Sequence, residues 1–508
     1  MLDRRAFIGA GGTSLALLGL NSPLLAQGAT VVRRSVRGMI ANDPDLAAMS
    51  RAVAAMKALP QSDPRNWTRF AGIHRNFCPH GNWYFLPWHR AYLVSFEQIV
   101  RELSGKADFA LPYWNWTADR AFPPAFSAGN RNSNPLFHPR PGVANGFRLG
   151  DDMVGPQVIS RVMQSPDFEA FGSSRPRGQD SAASQWQRRP GSRTELEFNP
   201  HDGVHQSIGG NMGVVDLASR DPIFFLHHAN IDRLWSGWNA RGNANSPELA
   251  WRNLVFNRNF LAGNGSPWDV RVGDLNATPA LGYRYDGDDS PFAAEVAMPV
   301  GDPVTEKLRG YRQAVARGLL GSGPGIRRIE MPSLGSVYVA SADNGTAASP
   351  DRPLAVTVPL SRSLGEMLGQ DAVLGAASSG PETRGNRRYV FAFLHDVDLP
   401  LDAATRLRTF VNCQELTPRT PIDDQSYATS ASFFGGEHAQ HGGASGSGHG
   451  TSTGGGSLCI DLSQALARMG QPRGPRTDRL TVQLLPSSAS GESHASNIRP
   501  RRVEVVIL

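Results

Sequence analysis

Seven of the 13 histidines in this chain fall in two short stretches. His74, His80 and His89 lie within IHRNFCPHGNWYFLPWHRAYLVSFE, and His201, His205, His227 and His228 lie within ELEFNPHDGVHQSIGG and RDPIFFLHHANIDRLW. His201 and His205 are four residues apart, so on a helix they share one face and can hold one ion. His228 falls on the same helical side as Phe224, Ile231 and Trp235, which turns its imidazole into an apolar interior. A lone interior histidine is usually a packed side chain. Histidines at ligand spacing in two separate regions are better explained by metal. Imidazoles without carboxylates argue against magnesium and calcium, fit poorly with carboxylate-rich di-iron sites, and suit copper or zinc. A hydrolytic zinc site takes three protein ligands and a water. Two three-histidine sites facing each other point instead to a pair of coppers that bind oxygen between them.

The elements that must position these residues are helical in the first half. Asp43–Leu59 carries Leu46, Met49, Val53 and Met56 at helical spacing and stops at Pro60. His89–Leu103 puts Tyr92, Leu93, Phe96, Ile99 and Val100 on one face. Pro200–Ile208 reads as a short helix. Asp221-Pro222 reads as a helix start, since Asp caps and Pro suits the first turn. Long Pro/Gly/Asn/Ser-rich segments at 120–150 and 172–193 read as loops. The last third differs: Arg388–Asp396, Thr405–Val411, Leu480–Leu485 and Val503–Leu508 are short, apolar and β-branched, as expected of a β-sandwich. Residues 435–456 form a Gly/Ser/His-rich low-complexity stretch.

The 508 residues are too many for one core. The expected organisation is a removable signal over 1–29, a catalytic domain over 30–290, a linker over 291–340 and a C-terminal β-sandwich over 341–508. The signal reading rests on Arg4-Arg5, then Phe7 and a Gly-interrupted apolar run from Ile8 to Leu25, a pattern of the twin-arginine export type. The protein is then expected to be exported, to the periplasm or beyond, with no membrane span after removal of the signal. The net charge of +6 is spread along the chain without a dense basic block, so nucleic acid is not an expected partner. Three cysteines do not make a disulfide scaffold. Cys413 and Cys459 bracket the low-complexity stretch and are candidates for one disulfide in an oxidising compartment.

HGNWYFLPWHRAYL, NPHDGVH and DPIFFLHHANIDRLW resemble the copper motifs of tyrosinases and polyphenol oxidases, particularly bacterial ones similar to the plant enzymes. LPYWNW at 111–116 and GYRYD at 282–286 match further landmarks of that family. The resemblance covers residues 35–290 clearly and the remainder loosely. It implies a mainly α catalytic domain, a four-helix bundle holding two copper ions, with the β-sandwich as a lid. It implies copper A held by His74, His80 and His89, and copper B by His201, His205 and His228, with His227 outside the ligand set. Cys78 would form a thioether to His80. Glu197 would act as base or water-holder, with Glu195 as its nearby competitor. Asp202 stands where many hydroxylating relatives have asparagine, and its charge is expected to favour phenolic amines over phenolic acids. Val215, in place of a bulkier gate residue, would line the substrate pocket with His227 and Gln206. Phe433 or Phe434 would plug the site from the lid.

The activity so implied is oxidation of phenols by molecular oxygen to ortho-quinones: a tyrosinase, hydroxylating monophenols and oxidising diphenols. Catechol oxidase or ortho-aminophenol oxidase activity without hydroxylation is the alternative. An oxygen carrier of the hemocyanin kind is the alternative of another class. His438, His441 and His449 are candidate copper collectors. The oligomeric state is left open.

Overall fold

The computed structural model describes residues 30–176, 189–287, 303–316, 325–331, 335–360, 389–398, 405–434, 456–469, 478–488 and 497–508. The expected signal, His438, His441 and His449 lie outside them.

The helical half follows the sequence pattern closely. Helix α1, Pro44–Ala58, begins where the Asp43 side chain accepts the Asp45 N–H and ends before Leu59. Helix α2, Trp67–Phe77, is capped by Asn66, whose side chain accepts from Thr68 and Arg69. Helix α3, Phe85–Ser104, is buried over nearly its whole length and ends at Gly105 in the left-handed conformation. A π-type turn, Glu197–His201, runs into α4, Asp202–Ile208. Helix α5, Ile223–Ala240, starts where Asp221 Oδ1 accepts the Ile223 N–H. Helices α2 to α5 carry four of the six expected ligands, His201 ends the π-type turn before α4, and His80 sits in the connection between α2 and α3.

Helices α3 and α5 are fixed to each other by packing and by charge. Phe96 and Phe225 stack with ring centres 3.8 Å apart. Buried Asp232 of α5 takes Arg90 of α3 at 2.5 Å and the hydroxyls of Tyr283 and Tyr285. Arg33 bridges Glu97 of α3 at 2.9 Å and Asp232 at 3.4 Å. It arrives on strand β1, Val31–Arg33, which pairs in parallel with a strand at Tyr283–Tyr285. A buried charge lacking its partner costs several kcal/mol, so these groups pin the register of two ligand-bearing helices.

The C-terminal part is the expected sandwich. One sheet contains, in order, Tyr427–Ser432, Thr405–Val411, Arg479–Ser488 and Leu354–Pro359. The other has six strands: β2 (Ser192–Arg193), then Gly456–Asp461, Val390–Val397, Arg502–Ile507, Gly335–Asp343 and Gly325–Met331. Two expectations need correction. Residues 291–340, read as a linker, contain a helix at Pro303–Ala316, the Gly325–Met331 strand and the start of the Gly335–Asp343 strand, so the sandwich begins earlier. That segment has β-branched residues but no long apolar run to mark it. Cys413 and Cys459 are free thiols: Cys459 lies within the six-stranded sheet, while Cys413 follows a strand of the other. Strand β2 belongs to the helical half yet pairs in parallel with Gly456–Asp461, so the sandwich is joined to the helical half through main-chain bonds.

Candidate metal centre

His74, His80 and His89 form a nearly equilateral triangle, with ring centres 5.5, 5.4 and 5.3 Å apart. His201, His205 and His228 form a second, with 4.7, 5.0 and 5.4 Å. The triangles face each other: His89 and His228 stack 4.3 Å apart with planes 11° off parallel, and His80 lies 5.6 Å from His201. Metal–nitrogen bonds of about 2.0–2.1 Å put three ligated imidazoles roughly 5 Å apart centre to centre. Each trio therefore fits one ion.

Three of the outer nitrogens are anchored, and inner ones are left for a metal. Nδ1 of His89 lies 2.8 Å from the Phe85 carbonyl, Nδ1 of His205 lies 2.8 Å from the Met212 carbonyl, and Nδ1 of His201 lies 2.8 Å from Asp202 Oδ1. Such bonds place the ring proton on Nδ1 and present the Nε2 lone pair. Nε2 of His80, His89 and His201 is buried without a hydrogen-bond partner among the described residues. Nε2 of His205 and Nε2 of His228 converge to 3.2 Å, as two ligands of one ion do. Burial, with further help from neighbouring imidazoles, pushes His80, His201 and His228 well below the usual histidine range, and His89 and His205 down to about 3. Neutral imidazole is the ligating form.

His227 is close enough to His201, His205 and His228 to be counted with them. Its Nδ1, however, accepts the indole N–H of Trp116 at 3.2 Å. The neutral ring then carries its proton on Nε2, which leaves no lone pair for a metal. Cys78 Sγ lies 3.5 Å from Nδ1 of His80. Val215 is partly buried against the catalytic core, three residues beyond Met212.

Around the trios lies a charged layer that is only partly legible in sequence. Glu197 is buried, with Oε1 accepting the Gly81 N–H and Oε2 accepting the Ser173 hydroxyl, both at 2.6 Å. It thereby braces the loop that carries His80. Burial raises its pKa. Glu195, its competitor, points away: it binds Arg161 at 2.6 Å and the Thr429 hydroxyl at 2.8 Å across the domain interface. Asp202 is wholly buried, and burial pushes its carboxyl well up. Its Oδ2 accepts from Arg193 Nη1 at 2.8 Å. The charge of Asp202, the basis for the expected preference against acidic phenols, thus faces the Arg193 guanidinium. Arg193 itself has no local signal in the sequence, because its importance comes from a contact nine positions on. Trp116 and Ser173 are further residues the motifs alone do not single out.

The two lid candidates divide cleanly. Phe433 packs in the sandwich core, whereas Phe434 belongs to the catalytic core. The Phe434 ring is stacked on His205 at 4.1 Å, with its edge relations to His80 and His201 both at 5.7 Å.

A sequence profile for the common central domain of tyrosinase matches residues 64–148 and 149–241. Tyrosinase HcTyr1 of Hahella sp. (strain CCB-MM4) is 33% identical over 292 residues, which is 48% of this chain and 61% of that protein. The chloroplastic (+)-larreatricin hydroxylase of Larrea tridentata is 32% identical, over 51% of this chain and 50% of that protein. The chain thus spans only 50–61% of the length of these relatives. Latent apple tyrosinase shares the fold with a TM-score of 0.62 at 21% identity, covering 95% of this chain and 98% of that one. Latent aurone synthase does so at 0.64 and 18%, covering 95% and 90%. Residues 64–241 thus match the common central domain of tyrosinase, and the chain as a whole shares the fold of these two solved enzymes.

Proposed function

We propose that this chain is a dicopper phenol oxidase that uses molecular oxygen to convert phenols to ortho-quinones. Two imidazole trios stacked face to face, His89 on His228 at 4.3 Å, carry this reading. His74, His80 and His89 would hold copper A, and His201, His205 and His228 copper B. Two bound coppers supply oxygen binding and electron transfer. The protein's own groups do the rest. Anchored Nδ1 atoms hold the rings of His89, His201 and His205 in place. Asp202 orients His201, and Glu197 fixes the loop of His80. A phenol must lose its proton before it reacts. Glu197 is the proposed holder of the accepting water, since each of its oxygens keeps a second lone pair beyond its protein donor. Asp202 partners it through Arg193. Gln206, Val215 and His227 line the approach, and Phe434 occupies the place of a substrate ring until the lid shifts. Cys78, beside His80, is positioned for a thioether.

Hydroxylation of monophenols is the proposed activity; Val215 leaves the approach more open than an aromatic gate would. Arg4-Arg5 supports twin-arginine export. Among the described residues no helix is long and apolar enough to cross a membrane. The test is copper-loaded full-length protein, with and without mild detergent, given tyrosine and L-DOPA. Colour from both supports tyrosinase, from L-DOPA alone a catechol oxidase, and from neither an oxygen carrier.

A further inference from the structure

An ortho-quinone is an electrophile, and the side chains that react with it are scarce or hidden in this chain. Lysine is among the commonest residues of globular proteins. Here, of 51 lysines and arginines, only Lys57, Lys106 and Lys307 are lysine. These three, the three cysteines and the nine tyrosines all lie among the described residues. Eight tyrosines are buried and Tyr338 is partly buried. Cys78 and Cys459 are buried, and burial pushes the Cys459 thiol up to about 12, which suppresses the reactive thiolate. Cys413 is partly buried against the cluster of Phe410, Tyr427 and Leu485. Lys106 Nζ is paired with Asp45 at 3.1 Å and Asp108 at 2.9 Å. Lys307 is partly buried on the Pro303–Ala316 helix. Of all these side chains only Lys57 is exposed, with its Nζ donating to the Pro135 carbonyl at 2.6 Å. Partial desolvation lowers its pKa, which enlarges the unprotonated, nucleophilic fraction.

We propose, building on the phenol oxidase reading above, that the chain is kept poor in accessible groups that react with its own ortho-quinone product, and that Lys57 is the one amine left for the quinone to arylate. Basic charge is carried by guanidinium, which keeps its proton up to a pKa of about 12 or more and offers no lone pair. Phenols are turned inward, where another copy of the enzyme does not reach them. The quinone is thereby left to react with other material while turnover continues. The modification balances without an added oxidant. The Lys57 nitrogen forms a bond to a ring carbon of the quinone. One hydrogen from the nitrogen and one from that carbon pass to the two quinone oxygens, and the ring is reduced to a catechol.

The test uses the full chain carrying Cys413→Ser, which takes the partly buried thiol out of the tally. The protein is given excess chemically prepared 4-methyl-ortho-quinone, and its peptides are mapped by mass. The peptide containing Lys57 should gain the whole mass of one quinone, and those containing Lys106 and Lys307 should stay unmodified. Lys57→Arg should abolish lysine arylation. Arg37→Lys, Arg51→Lys, Arg419→Lys and Arg501→Lys, all at exposed positions, should when combined add one quinone at each new amine. Arylation of Lys106 or Lys307 as fast as Lys57, or new amines that stay unmodified, would overturn the inference. The phenol oxidase reading is judged separately: no oxidation of p-cresol by copper-loaded wild-type protein overturns that reading and leaves the arylation pattern standing. While p-cresol is being oxidised, every tyrosine of the chain should keep its mass, and oxygen gained at any of them would overturn the inference.

Discussion

The Phe434 ring of the lid lies on the His205 ring of the catalytic domain, centres 4.1 Å apart and planes 18° from parallel. An aromatic ring in that place excludes a phenol from the same face of the metal centre. Phe434→Gly should therefore raise the initial rate on L-DOPA, without protease or detergent, by at least about tenfold, the range that steric and binding contributions of this size command. Copper content should not change, because the substitution leaves all six histidines, and the Nδ1 bonds of His89, His201 and His205, in place. An unchanged rate would mean that the lid closes the site by other contacts.

Arg140 and Asp221 are both buried and meet through two bonds, of 2.8 and 2.6 Å. The same carboxylate accepts the Ile223 N–H at the start of α5, the helix that carries His228. Arg140→Met leaves that charge buried without its cation. The expected loss is about 3–5 kcal/mol of stability, read by urea unfolding. A loss under about 1 kcal/mol would show that other donors replace the arginine.

Much of this arrangement was legible beforehand, because it depends on local spacing. His201 and His205 at four residues, the apolar face of His228, and the Asp221-Pro222 helix start are all short-range patterns, and each element forms where its pattern lies. What escaped depends on distant contacts. Nothing near Arg193 announces that strand β2 joins the lid sheet or that its side chain pairs with Asp202. Phe433 and Phe434 are indistinguishable in sequence, and the turn that follows the Tyr427–Ser432 strand sends one into each core. The bracketing of a low-complexity stretch by Cys413 and Cys459 is a fact of chain order, and the two thiols end in different parts of the sandwich. His227 differs from His228 by one position, and only the Trp116 bond decides its tautomer.

The interface also carries a pH dependence. Burial raises the Asp461 carboxyl from its ordinary value of 3.8 to about 6. A carboxyl raised in the folded state favours folding fully below its unfolded value, and that contribution is lost as pH rises towards the folded value. Stability from this group should therefore decline between about pH 4 and 6 and stay low above. Asp461→Asn removes the titration and can still accept the Ser463 N–H, now at 2.8 Å. Calorimetric Tm of the variant should exceed wild type at pH 7.5 by more than at pH 4.5. A constant difference would rule out Asp461 as a contributor.

Cys78 Sγ stands 3.5 Å from the His80 ring. In protein loaded with copper in air, the peptide spanning Cys78 and His80 should be lighter by two hydrogens, and Cys78 should resist alkylation after denaturation. A fully alkylatable Cys78 would make it a buried free thiol. Cys78→Ser should retain metal but hold His80 less firmly, seen as faster loss of one copper to a chelator.

The central claim is that the two facing trios each hold one copper ion. An anomalous difference map collected at the copper absorption edge, from crystals of the copper-loaded protein, tests it directly. Two peaks are expected, one bounded by His74, His80 and His89 and the other by His201, His205 and His228. A single peak, or a second peak bound through His227 in place of one of these six, would contradict the account.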